Sequence, residues 1–343
     1  MIRAGRTIAG IVTVIGVAGG LTACGGDAGS SDSGSTTLTL YNAQHEDLMK
    51  AMVDGFTEKT GIKVEFRSGE DPELANQIVQ EGKASPADVF VTENSPSVQV
   101  VADAGLFAPL EKDTLAQVPQ QYRPSSDSWV GFAARSTVLA YNPDLIAENE
   151  LPASMLDLAK PQWQGKVGFS PGGADFQAIV GAVLELRGEK ATRTWLQGLA
   201  DGNAIYQGNS AVMQAVNEGK IPVGIIYHYY WYKDQAESGK NSDHVKLHYF
   251  GKQDPGAFVS VSGAGVLASS KHRDEAQQLV KYLTSADGQR RLAESTALEY
   301  AVADGAASAD VLPPLDTLEA PTVDPGALNG PKVTQLMQDV GLL

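Results

Sequence analysis

The stretch LTLYNAQHEDLMKAMVDGFTEKTGIKVEFR, residues 38–67, decides the fold. Leu38–Ala43 reads as a strand. Glu46–Thr60 follows with Leu48, Met52, Val53 and Phe56 at helical spacing, and Ile62–Arg67 is extended again. A helix follows over Glu73–Gly82, opened by Asp71-Pro72. ADVFVT, residues 87–92, is a third and mostly apolar strand, and Pro96–Ala104 a further helix. Strand, helix, strand, helix, strand at this pitch means right-handed crossovers and a parallel sheet.

A second set begins beyond Trp129. Gly131–Ala140 is extended, Gly165–Ser170 a short strand, and Phe176–Leu186 a helix. Thr192–Ala200 and Ser210–Glu218 are helical, and Ile221–Tyr227 is a buried strand. Val245–Phe250 and Ala257–Ala268 are extended, and Asp274–Glu294 reads as one helix with Ala276, Leu279, Val280 and Leu283 on one face. A Pro/Gly-rich stretch over 312–330 leads to a final helix, Val333–Val340. There is no repeat of solenoid length. The chain therefore reads as α/β, with two units that each hold a mostly parallel sheet.

Upstream, MIRAGRTIAGIVTVIGVAGGLTAC places Arg3 and Arg6 before an apolar stretch, Ile8–Leu21, that ends at small residues. That is the layout of a secretory signal peptide, too short and glycine-rich for a span of about 20 strongly apolar residues. Leu21-Thr22-Ala23-Cys24 resembles the bacterial lipobox, which makes Cys24 the lipidated first residue of the mature chain. It is the one cysteine, so no disulfide forms within the chain. Residues 24–37 read as a flexible tether. Removing Arg3 and Arg6 with the signal takes the formal charge from −15 to −17. Such acidity excludes nucleic acid as a partner, because phosphate binding needs clustered Lys and Arg. It suits an extracytoplasmic protein held to the cell membrane by lipid alone, and read as a monomer.

Ligands of open α/β sheets bind beyond the carboxyl ends of the strands. Beyond the first strand stand Gln44-His45-Glu46, and beyond the third Glu93-Asn94. Beyond GKVGFS comes Pro171-Gly-Gly-Ala-Asp175, and beyond IPVGIIY the cluster His228-Tyr229-Tyr230-Trp231. One imidazole, one carboxylate and two or three phenols thus reach strand ends from remote positions. Phenol, with a pKa of about 10, becomes a strong ligand only beside a highly charged cation. Phenolate, carboxylate and imidazole together suit ferric iron, whereas calcium or magnesium would call for carboxylates and carbonyls. Two phenolates and one carboxylate also balance three positive charges. Each residue has a plainer reading: Tyr229 and Tyr230 as packing residues, His45 as a helix-start residue, Glu93 as a cap neighbour. Adjacent tyrosines on a strand face opposite ways, so both reach one ligand only where the strand ends and the chain turns.

Other chemistry finds no support. His244 and His248 flank a strand-like Val-Lys-Leu without the glutamate of a zinc-protease helix, and read as surface residues. No G-x-S-x-G elbow, Walker loop or paired-cysteine zinc site occurs, and no general base stands outside the donor set.

At LTLYNAQHEDL, SPADVFVTENSP, IPVGIIYHYYWYK and DPGAFVSVSGAGVLASS the chain resembles the bacterial ferric-iron-binding proteins, the solute-binding components of ABC-type iron importers. YN-x-QH and YYW are the specific pieces, and the likeness extends over nearly all of the chain beyond residue 37. It implies a type II periplasmic-binding-protein fold, a two-lobed Venus flytrap, with 38–135 and 260–311 in lobe 1 and 136–259 and 312–343 in lobe 2. It implies Fe(III) as ligand, an importer permease as partner, and His45, Glu93, Tyr229 and Tyr230 as the metal ligands. A synergistic anion, phosphate or carbonate, would lie on Gly173, Ala174 and Asp175 at a helix start, with Arg135 and Asn209 beside it. Two departures touch that anion: Asp175 brings a negative charge, and Tyr227 stands where relatives have asparagine. Tyr227 or Tyr141 is thus a candidate for an additional phenolate. The alternative ligand for the same fold is an organic cation, a polyamine or thiamine, in an aromatic box.

Overall fold

The computed structural model describes residues 36–343. The signal peptide, Cys24 and nearly all of the tether lie outside the described residues. Among the described residues no helix is long and apolar enough to cross a membrane.

The chain begins with β1 (Thr37–Asn42), α1 (Glu46–Thr60), β2 (Lys63–Ser68), α2 (Asp71–Glu81), β3 (Val89–Val91) and α3 (Ser95–Asp103). The short α4 (Lys112–Leu115) leads to β4 (Val130–Tyr141). Then come β5 (Val167–Phe169), α5 (Ala174–Ala200), β6 (Ala204–Ile205), α6 (Asn209–Asn217), β7 (Val223–Tyr227) and α7 (His228–Glu237). The remainder is β8 (Lys246–His248), β9 (Val259–Val266), α8 (Arg273–Leu283), α9 (Ala286–Glu294), β10 (Tyr300–Ala301) and α10 (Gly330–Asp339).

The strands run in the order β2-β1-β3-β9-β4-β7-β5-β6, with β8 and β10 also paired to β4. Both flanks are parallel, as the strand–helix alternation requires, and the joins of β9 to β3 and of β4 to β9 and β7 are antiparallel. All twelve residues of β4 are buried. Its first half pairs with β9, ending at Arg135↔Ser260 and Ser136↔Val259, and its second half pairs with β7 from Thr137↔Tyr227 onward. One strand thus joins the two halves of the sheet, and it changes partner beside Arg135.

Each half-sheet is covered on both faces. Leu38 and Leu40 of β1 pack with Leu48, Met52 and Phe56 of α1 and Leu279 and Leu283 of α8. Tyr41 and Phe90 join Leu74, Ile78, Val98 and Trp129 on the opposite face. On the second half-sheet Val167, Phe169, Phe176, Trp195 and Leu336 form one core, and Val138, Val212, Val216 and Ile226 the other. Each fully buried Leu or Phe contributes about 1.5–3 kcal/mol, so these faces hold the helices that carry the strand-end residues.

Two helix readings change. The expected helices over 176–186 and 192–200 are segments of α5, broken at Gly188, whose φ of 77° lies outside helical space. The expected single helix over 274–294 is two, because the Ser285 hydroxyl caps a new start by accepting from the Gly288 amide at 3.3 Å. His248 lies on β8, and His244 is an exposed residue 3.2 Å from Asp144.

Candidate metal centre

Each strand-end loop is locked by its own hydrogen bonds. Beyond β1, the Asn42 side chain accepts from the Gln44 amide and donates to the Gln44 carbonyl, at 3.2 and 2.8 Å. The turn delivers His45 to the start of α1. Beyond β3, the Glu93 and Asn94 amides both donate to the buried Asp71 carboxylate at 2.8 Å. Beyond β7, the chain turns directly into α7, so Tyr229 and Tyr230 stand in its first turn rather than on opposite faces of a strand. Their rings stack, with centroids 4.2 Å apart.

These pieces meet. The Tyr229 hydroxyl donates to Glu93 Oε1 at 3.0 Å, and His45 Nε2 is 3.9 Å from the same oxygen. The His45 and Tyr229 rings meet edge to face at 5.2 Å. The Tyr230 hydroxyl donates to Asp175 Oδ2 at 3.1 Å. Among the described residues His, Cys, Asp and Glu alone form no group of three able to hold a metal, so the phenols have to complete any such set. Burial raises both phenol pKa values well beyond the ordinary range, and the charges of Glu93 and Asp175 add to it. Without a cation both phenols are neutral. A highly charged cation reverses the sign of that field and makes phenolate the stable form.

Asp175 occupies the expected anion pocket itself. Its carboxylate accepts from Asn94 Nδ2 at 3.0 Å and Asn209 Nδ2 at 2.7 Å, besides Tyr230. Gly173 is the cap residue before α5, and its amide is spent on the Ser170 carbonyl at 3.4 Å. Ala174 is the first helical residue. Burial pushes the Asp175 carboxyl up to about 7, with Glu93 adding to the rise and Arg135 opposing it.

Arg135 is fully buried, and Glu299 lies against it. Its Nη2 donates to Glu299 Oε2 at 2.7 Å and to the Ser262 hydroxyl at 3.0 Å. Among the described residues its Nε and Nη1 have no hydrogen-bond partner; Nε lies 3.9 Å from Glu93 Oε1, and the guanidinium carbon is 5.9 Å from the Tyr229 ring centre. Burial would raise the Glu299 carboxyl, but Arg135 and His45 reverse that and hold it down at about 2. Burial would likewise depress His45, yet its bond to Glu299 and the charges of Glu299 and Glu93 leave it raised.

The two further phenols stand elsewhere. Tyr227 is wholly buried one layer behind, its hydroxyl 3.3 Å from the Asp175 carbonyl and 3.5 Å from Asn94 Oδ1. Tyr141 is paired with Val223 at the opposite end of β7 from Tyr227, about 13 Å along the strand from Thr137. The structure does not bring Tyr141 to the centre. Sequence reasoning missed Glu299, Asp71 and Ser262. Gln44 stands beside His45 in the YN-x-QH piece and could have been found there, whereas Glu299 lies at no predicted strand end.

The profile of the bacterial extracellular solute-binding protein family matches residues 42–290. The chain is 57% identical to the Fe(3+)-binding periplasmic protein of Serratia marcescens over 94% of each chain. It is 37% identical to the major ferric iron-binding protein of Neisseria meningitidis serogroup B, over 89% of this chain and 93% of that one. Among solved structures, iron-bound HitA from Pseudomonas aeruginosa matches with a TM-score of 0.84 and 44% identity, over 90% of this chain and all (100%) of that one. A Trichodesmium protein in complex with iron and citrate matches at 0.80 and 26% identity, over 90% of this chain and 100% of that one.

Proposed function

The chain belongs to the bacterial extracellular solute-binding proteins, and within them to the ferric-iron-binding group; from that premise we propose that it captures Fe(III) between its lobes and passes it to an ABC importer permease. His45 and Glu93 would bind from one lobe, Tyr229 and Tyr230 from the other. The observation that carries the reading is the pair of stacked phenols, Tyr229 buried and bonded to Glu93 beside His45, and Tyr230 half-buried and bonded to Asp175. Neutral phenols among carboxylates gain most from a small trivalent cation.

An organic cation is not favoured. The two tyrosine faces are spent on each other, and the Trp231 indole donates to the Val245 carbonyl at 2.9 Å and packs with the Val212 core. The relatives are named for binding, and this chain is likewise proposed as a carrier rather than an enzyme.

Asp175 is proposed to serve in place of an exogenous phosphate or carbonate, because Asn94, Asn209 and Tyr230 already hold its carboxylate. The lobes are proposed to divide near Arg135 and Ser260, where β4 changes partner. The last crossing is proposed somewhat beyond 311, since Leu312 and Leu318 pack with the first core and Val323 with the second. Cys24 is proposed as the lipid anchor of a monomer; Cys24→Ala should then leave the membrane fraction.

The test is addition of ferric citrate to metal-free protein. One iron per chain, a visible phenolate-to-iron band and a smaller radius of gyration in solution scattering are expected. Failure of the colour would refute the ligand set, and unchanged dimensions with iron bound would refute closure.

A further inference from the structure

Glu299 stands just before β10, between the hinge arginine and the candidate ligand His45. We infer that Glu299, acting together with Gln44, is a positioning residue that turns the His45 Nε2 lone pair towards the metal, an inference that rests on the function proposed above. His45 Nδ1 has two neighbours within hydrogen-bonding distance, Glu299 Oε1 at 3.2 Å and Gln44 Oε1 at 2.7 Å. The orientation of Gln44 is set independently: its Nε2 donates to Ser262 Oγ at 2.8 Å and to Glu299 Oε2 at 3.3 Å, and its Oε1 accepts from the His45 amide. Both neighbours of Nδ1 are therefore acceptors, so Nδ1 carries the hydrogen. In the neutral ring the lone pair is then on Nε2, the nitrogen that lies 3.9 Å from Glu93.

Glu299 can do this because its other oxygen is fully engaged. Oε2 accepts from Arg135 at 2.7 Å, and both side chains are fully buried. The guanidinium keeps the carboxylate ionised and fixed, and Arg135 is itself fixed in β4 where that strand changes partner. The unit Arg135–Glu299–His45 thus links the hinge strand to a metal ligand through residues that do not touch the metal. Outer partners of this kind commonly change metal affinity by about 10–100-fold.

The isosteric change Glu299→Gln separates positioning from shape. Arg135 would claim the amide oxygen, which leaves the amide NH2 facing Nδ1, where it needs an acceptor. Gln44 Oε1 is then the acceptor left at Nδ1, against a donor facing the same nitrogen, so the proton shifts towards Nε2 and the ring in that form can no longer bind. In the full chain Glu299→Gln should weaken ferric binding about 10–100-fold in citrate competition. Nitrogen NMR of metal-free protein above the titration range should show the Nδ1–H form in the native chain and a shift towards Nε2–H in the variant. In a His45→Ala background Glu299→Gln should cost nothing further. Additive losses, or an unchanged tautomer, would overturn the inference. Should Glu299→Gln fail to fold, Glu299→Asp keeps the charge for Arg135 while withdrawing from Nδ1; it should likewise weaken binding only when His45 is present, and an equal loss without His45 would overturn the inference. Native-strength binding by His45→Ala would instead defeat the ligand assignment, and the tautomer experiment would still decide what Glu299 does.

Discussion

The Tyr229 hydroxyl donates to Glu93 Oε1 across 3.0 Å, joining the first turn of α7 to the loop beyond β3. Both groups are candidate ligands of one ion, so in the closed form a proton takes the place that the metal would hold between them. Iron has to expel it. Loading at pH 8 should release a proton from each phenol, and Tyr229→Phe should release one fewer than the native chain. Titration in unbuffered solution measures this; equal release by both proteins would remove Tyr229 from the ligand set.

Tyr229→Phe and Tyr230→Phe each delete one oxygen and almost no volume. Each should abolish or shift the visible band and weaken iron binding, with the unfolding midpoint of metal-free protein little changed. An absorption titration beside a denaturant curve checks both halves.

Asp175→Asn removes a charge and keeps the shape. Native protein should bind iron equally well with and without phosphate. The variant should bind weakly in anion-free buffer and recover when phosphate is added. Phosphate dependence in the native chain would show that Asp175 does not serve as the anion.

His228 provides a test of stability apart from iron. It is fully buried, its Nδ1 accepts from the Ser136 amide at 3.1 Å, and its ring stacks on Tyr300 at 4.6 Å. Burial, opposed by Glu299, pushes its pKa down to about 3. The folded state therefore stays neutral while the unfolded chain takes up a proton below about 6.5. This stability is fully present above that value and is lost as pH falls towards 3, at about 1.4 kcal/mol per pH unit. Asp175, at about 7 in the folded state, contributes with the opposite sign over the same range, so the His228 contribution is read as the difference between native and variant slopes in urea unfolding of metal-free protein between pH 7.5 and 5. His228→Gln, which can still accept from Ser136, should show a slope smaller by one proton.

Much of the architecture was legible because it rests on local periodicity. Leu48, Met52 and Phe56 recur at helical spacing and are buried in α1, and the parallel strands follow from the helices between them. The strand-end rule then pointed to His45, Glu93 and the tyrosine cluster, the resemblance narrowed these to His45, Glu93, Tyr229 and Tyr230, and the fold brings those four together. The Ser285 cap that divides the helix beyond residue 273 was also within reach of sequence, since serine there is followed by Gly288 and offers the amide a local acceptor.

Amino-acid order by itself determined which segments coil or extend, which residues stand at strand ends, and what donor chemistry they offer, because those properties depend on neighbours a few positions away. Tertiary structure alone decided that Glu299 would meet Arg135 across 164 positions and His45 across 254, and that Asp175 would find Asn94 and Asn209 across 81 and 34. It also sent Tyr141 to the far end of β7 and Tyr227 behind the centre. Those outcomes depend on sheet order and on the strand at which the chain crosses between lobes. The same side chain is a ligand, a second layer or plain core according to which strand end it shares, and no local pattern encodes that sharing.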